Sequence, residues 1–190
     1  RRHQHRRSAA GRAGAAQPVD RLTAASAAAE DRLAEASPMH VRQSFKLPES
    51  ILVVIHTAAG HVLLLERADH PGFWQSVTGS RASLDEPLRA TCAREVAEET
   101  GNVVPPDAFD DWQLVHRYAI YPQWRHRYAP GVTHNTEHVF GLRVDAPFVP
   151  QLAPREHTAH RWLPWRDAAD ACFSWTNAQA IRRLHQLQAG

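Results

Sequence analysis

Residues 94–101 read Arg-Glu-Val-Ala-Glu-Glu-Thr-Gly, and no other run constrains the chain as much. Leu88, Cys92 and Val96 recur at four-residue spacing before and within it, which predicts a helix from about Glu86 to Thr100 with a buried stripe. Ser83 and Asp85 are the expected N-caps, Pro87 suits the first turn, and Gly101 is the expected stop. At ~100° per residue, Glu98 sits ~60° to one side of Glu95 and Glu99 ~40° to the other. Three carboxylates therefore share one arc, flanked by Arg94. Like charges at this spacing cost a helix ~0.2–0.5 kcal/mol per pair. A solvated acidic face is the commoner outcome of such a run. The alternative is a hard divalent cation, which takes carboxylate oxygens together with substrate phosphates.

The rest of the chain supplies a sheet for this helix to pack on. Ile51 to His56 and Val62 to Leu65 are β-rich, strand-sized apolar runs, separated by Ala58-Ala59-Gly60 as a hairpin turn. Trp74 to Thr78, Trp112 to Tyr121, Thr136 to Val144 and His160 to Leu163 read as further strands, and Asn177 to Leu187 as a closing helix. Strands and helices in this order predict an α/β fold with a mixed sheet between helices.

The helix and the loop before it resemble the Nudix box, G-x5-E-x7-R-E-U-x-E-E-x-G-U with U aliphatic. Gly79, Arg94, Glu95, Glu98, Glu99 and Gly101 occupy its marked positions. Counted from Gly79 the first acid is Asp85, with eight residues before Arg94; counted back from Arg94 it is Glu86, with Ser80 at the glycine position. One extra residue in the loop or first helical turn accounts for this and leaves open which acid serves. Asn102, in an aliphatic position, is a minor departure.

The resemblance implies an α/β/α Nudix sandwich, a catalytic loop–helix–loop, and hydrolysis of a diphosphate linked to another group. It implies Mg²⁺ as cofactor, with Mn²⁺ as a substitute. In the family, the counterparts of Glu95 and Glu99 ligate metal and that of Gly79 offers its carbonyl. Glu98 is then a ligand or the base for water, and Arg94 holds the carboxylates. Phosphoryl chemistry of this kind rests on positioning and charge neutralisation.

The likeness reaches beyond the box. Ser50 to Ile55, Phe73 to Ser80, Arg125 to Thr133, Asn135 to Glu137 and Ser174 to Ile181 are similar to the Nudix branch that removes pyrophosphate from dihydroneopterin triphosphate in bacterial folate synthesis. That likeness implies substrate contacts at Lys46, Arg67, Thr78, at Tyr118, Ala119, Ile120 and Tyr121, and at Ser174. It implies a further metal ligand at Glu156, favoured over Glu137, and side activity on dATP-like nucleotides. A general (deoxy)nucleoside triphosphate pyrophosphohydrolase is the alternative; an inactive nucleotide-binding domain is disfavoured, because the box acids are intact.

Trp74 and Trp124 are candidates to stack on a flat ring, with core packing the commoner role. His157 and His160 have a three-residue spacing, but nothing else points to zinc. Cys92 and Cys172 are the only cysteines, which suits a reducing compartment and a cytoplasmic enzyme.

Residues 1–40 are rich in Ala and Arg and poor in large apolar side chains, so they are expected to be a disordered or non-native leader before a Nudix domain at 41–190. Met39, the only methionine, is the expected start of the native product. Five of the 22 basic residues fall in residues 1–19, leaving 17 against 20 acids, so the body carries −3. That balance offers no basic stripe for nucleic acid, and no run approaches the ~18 apolar residues of a membrane span. The expected partner is a small-molecule triphosphate.

Overall fold

The computed structural model describes residues 45–188. The expectations for residues 1–40 and for a start at Met39 lie outside the described residues.

The central strand is β1 (Glu49–Thr57), and its uninterrupted apolar run has a simple cause: both of its faces are covered. Ile51, Val53 and Ile55 point toward helix α1 (Leu88–Thr100), packing with its Cys92 and Val96. Leu52 and Val54 point the other way, toward α2 (Trp165–Ala171) and α3 (Trp175–Gln188), among Ala168, Ile181 and Leu184. The period-2 alternation of one strand thus feeds two cores, and the layers are helix, sheet and helices.

The sheet is mixed, as expected. β1 runs parallel to β6 (His134–Val144), from Glu49↔Thr136 to Thr57↔Val144. β6 pairs antiparallel with β5 (Asp110–Ala119), which carries a bulge between Asp111 and Leu114 with Gln113 at φ 52°. On its other edge β1 meets β2 (His61–Arg67) only at His56↔Val62, next to the hairpin turn. Beyond that point β2 turns to β3 (Trp74–Gln75) and β7 (His157–Pro164), while β4 (Val77–Ser80) takes its place beside Ser50 to Val53. Of the expected site residues, Arg67, Thr78 and Gly79 lie where β2 and β1 part.

Three local expectations differ. Helix α1 begins at Leu88 with Pro87 in the extended cap position, and neither Ser83 nor Asp85 caps it. Glu86, just before the cap, instead ties the loop to the helix, its carboxylate accepting from the Ala82 N–H at 2.6 Å and from Arg94. The Trp74 to Thr78 strand is two short strands, interrupted where the Ser76 N–H donates to Asn177 Oδ1 at 2.8 Å instead of to a neighbouring strand. Helix α2 has no counterpart in the sequence pattern, since seven residues give too little periodicity to read. The stop at Gly101 is as expected, with φ 71° and its N–H on Ala97 O at 3.0 Å.

Candidate active site

Helix α1 sorts its three carboxylates by environment. Glu95 and Glu99 are buried, while the Glu98 side chain is 57% exposed. Burial first, and the neighbouring Glu99 and Glu98 charges next, push Glu95 up to about 7 against the pull of Arg94. Burial likewise raises Glu99, with His157 opposing.

Arg94 organises this cluster through its planar fork. Its Nε and Nη2 donate to the two Glu86 oxygens at 2.9 and 3.2 Å. Nη1 donates to Glu95 Oε1 at 2.7 Å and reaches Glu98 Oε2 at 3.4 Å, and Nη2 also donates to Ser80 O at 3.0 Å. Those bonds hold the Glu86 carboxyl down to about 2. Glu86 is therefore the acid that pairs with the box arginine, Asp85 stays exposed, and the extra residue lies in the loop after Gly79.

Gly79 packs directly on Glu95. A side-chain carbon there would overlap the Glu95 carboxyl group, so any larger residue requires Glu95 to move. At the far end of α1, Glu99 Oε2 lies 3.1 Å from His157 Nε2, both side chains buried, without the alignment of a hydrogen bond. Glu156 joins them: Glu99, Glu156 and His157 each offer a ligand atom, all within 4.8 Å of one another. A buried carboxylate oxygen with no donor, facing a second carboxylate, is a donor set that suits a divalent cation. His160 is not part of this group, and Glu137 sits elsewhere, buried against His116.

The expected substrate residues converge. Lys46, Arg67, Thr78 and Gly79 line one pocket with Tyr118, Ile120, Tyr121 and Ser174. Ala119 does not line it, because alternation along β5 turns its side chain outward between its two neighbours. Lys46 links pocket and acids. Protein crowding and then Arg127 lower its pKa, whereas Glu95, Glu156 and Glu99 pull it up. Arg67 is pre-set by Asp69, at 2.8 and 2.6 Å, and by Gln75 Oε1 at 3.2 Å. Its guanidinium lies 4.8 Å from the Trp124 ring centre.

Of the two tryptophans singled out, Trp124 lines the pocket and Trp74 is core, 7% exposed. The pocket also holds Ser50, Asn135 and Trp175, which carried no chemical signal of their own in the sequence. Trp175 is 54% exposed, a feature visible only once α3 is placed.

Residues 46–184 match the NUDIX domain. The chain belongs to the Nudix family. Its box acids, its mixed sheet between helices and its pocket make it a Nudix pyrophosphohydrolase in layout. It is 44% identical over 143 residues to the dihydroneopterin triphosphate diphosphatase of Escherichia coli (strain K12), covering 74% of this chain and 93% of that protein. It is 38% identical over 142 residues to the protein of the same name from Haemophilus influenzae, covering 73% and 88%. The solved structure of the E. coli dihydroneopterin triphosphate pyrophosphohydrolase superposes with a TM-score of 0.68 at 42% identity, covering 73% of this chain and 95% of that one. Nudix hydrolases use divalent metals, and the cluster of Glu99, Glu156 and His157 offers such an ion a place. Among the described residues, no helix is long and apolar enough to cross a membrane.

Proposed function

We propose that this Nudix hydrolase cleaves dihydroneopterin triphosphate with water, releasing pyrophosphate and leaving the monophosphate, with side activity on dATP-like nucleotides. The observation that carries the reading is one continuous cavity. It runs from an aromatic wall at Trp124, past Arg67 and Lys46, to Gly79 beside the buried Glu95. A flat heterocycle fits the first part and a polyphosphate the second.

Glu95, Glu99 and Glu156, with the Gly79 carbonyl, are the ligands we assign to Mg²⁺, for which Mn²⁺ can substitute. When bound, the ion neutralises diphosphate charge and makes a nearby water more acidic. Lys46 contributes a point charge to the phosphates and Arg67 a planar fork. Arg94 fixes Glu95 through Nη1, so that carboxylate keeps its aim whatever the phosphates do. To Glu98, the exposed member of the trio, we assign the proton of the attacking water. Water adds its oxygen to one of the two phosphorus atoms flanking the bridge between the α- and β-phosphoryl groups. The bridging P–O bond on that side breaks with its electron pair going to the leaving group, and the products are pyrophosphate and the monophosphate. Both cysteines are free, with Cys92 buried, and we assign the enzyme to the cytoplasm.

The test is a comparison of kcat/KM for dihydroneopterin triphosphate and dATP with Mg²⁺. A clear preference for the pterin upholds the reading. Equal or better turnover of dATP keeps the Nudix chemistry and makes the enzyme a nucleoside triphosphate pyrophosphohydrolase.

A further inference from the structure

The sheet face under α3 changes character at one line. On β1, β5 and β6 the inward rows contribute Leu52, Leu114 and Val139 to the apolar core. One or two steps further along the same rows stand Ser50, His116 and Tyr118, and Asn135 and Glu137. Ser50, His116, Asn135 and Glu137 are all buried, with Asn135 at 1% and Glu137 at 3% exposure. Polar side chains this deep normally satisfy one another, and here they do so only in part. Asn135 spends its Nδ2 on Ser50 Oγ at 2.7 Å and Tyr118 Oη at 3.1 Å, and its Oδ1 has no donor. Glu137 is met by His116 Nδ1 at 3.3 Å, and His116 Nε2 is itself without a partner.

Asn135 and Glu137 both line the pocket that holds Lys46 and Arg67. Its wall at this point is thus two acceptors, an amide oxygen and a carboxylate, on successive inward positions of one strand. A buried acceptor left without a donor is costly, so the wall is built for a ligand that brings donors. Above it, Trp175 presents an exposed ring, edge-on to His116 at 5.2 Å between centroids. A planar ligand sliding under Trp175 would cover that apolar surface.

We propose that Asn135 and Glu137 read the heterocycle of the substrate, accepting hydrogen bonds from adjacent ring N–H and exocyclic amino groups while Trp175 covers its face. This rests on the function proposed above, because the 2-amino-4-oxo edge of a pterin carries that donor pair. Adenine does not: beside its amino group stands a ring nitrogen that is itself an acceptor, and a carboxylate repels it. Glu137 then serves ring recognition and not the metal, which agrees with its separation from the Glu99 cluster. Asn135, Glu137 and Trp175 are binding residues in this account; none touches the phosphates.

The experiment has two arms. In wild type with Mg²⁺, free pterin and its 2-oxo analogue lumazine, which lacks the amino donor, are compared as competitive inhibitors of dATP hydrolysis. Pterin is expected to inhibit about tenfold more tightly, as for a site whose hydrogen-bond partner is deleted from the ligand. Equal inhibition overturns the proposal without needing any variant to fold. In Glu137→Gln, kcat/KM for dihydroneopterin triphosphate is expected to fall about tenfold or more through KM, while that for dATP holds or rises, because the carboxylate that repels its ring nitrogen is gone. An equal fall for both substrates, or none for the pterin, contradicts ring reading. The wild-type preference between the two triphosphates is read separately, so failure of the proposed function is not confused with failure of this one.

Discussion

Gly79 and Glu95 are in direct contact across the β4–α1 boundary, so tightly that the glycine's missing side chain is what gives the carboxylate its place. The Gly79→Ala variant is expected to displace Glu95 and lower kcat by at least about a hundredfold, at a stability cost of ~1–3 kcal/mol from overpacking. Steady-state kinetics beside thermal melts check it. Near wild-type turnover would show that Glu95 keeps its function elsewhere.

Arg94 chooses Glu86 over Asp85, and the two acids should respond differently. Glu86→Gln removes a doubly bonded carboxylate and is expected to cost ~1.5–3 kcal/mol. Asp85→Asn, at an exposed position, should stay within about 0.5 kcal/mol. Urea denaturation of both variants makes the comparison. Because Glu86 is held down to about 2 from an ordinary 4.5, its contribution is complete above pH ~4.5 and is lost as pH falls toward 2.

Glu95 titrates in the opposite sense. Burial raises it from 4.5 to about 7, so the metal-free folded protein holds a proton that the unfolded chain has already released. Its term in stability is complete below pH ~4.5 and is lost as pH rises through about 7. A divalent ion needs the deprotonated group, so Mg²⁺ affinity should climb as pH rises from 6 to 8, with proton release on binding. Calorimetric Mg²⁺ titrations in buffers of different ionisation enthalpy measure both, and a pH-independent affinity would contradict it.

His157 lies beside Glu99 and does not line the substrate pocket, and we propose that it positions Glu99 rather than ligating the ion. Its ring is raised above an ordinary histidine: burial acts against the charge, but Glu99 beside it outweighs that. His157→Ala is expected to weaken Mg²⁺ binding ~10–100-fold, with KM for substrate at saturating metal little changed. Partial recovery in His157→Asn would separate orientation of Glu99 from simple loss of packing.

Much of this was legible in the sequence, for identifiable reasons. The carboxylate helix announced itself because its apolar stripe and its acids obey the same 3.6-residue period. The strands β1 and β2 stood out as apolar runs, yet the run alone could not say that Ile51 and Leu52 belong to different cores. The box frame stayed ambiguous because Gly79 and Arg94 disagree by one residue; only the reach of the Arg94 fork to Glu86 resolves it. Asn135, Glu137 and Trp175 form a wall from β6 and the start of α3, about 40 residues apart in the chain. Such a wall exists only once the sheet has set its register.

Which bond breaks is read directly by ³¹P NMR of the reaction with dihydroneopterin triphosphate and Mg²⁺. Inorganic pyrophosphate and the pterin monophosphate are the expected first products, with no reaction when Mg²⁺ is removed by chelation. Release of orthophosphate with a pterin diphosphate, or turnover that survives chelation, would contradict this cleavage.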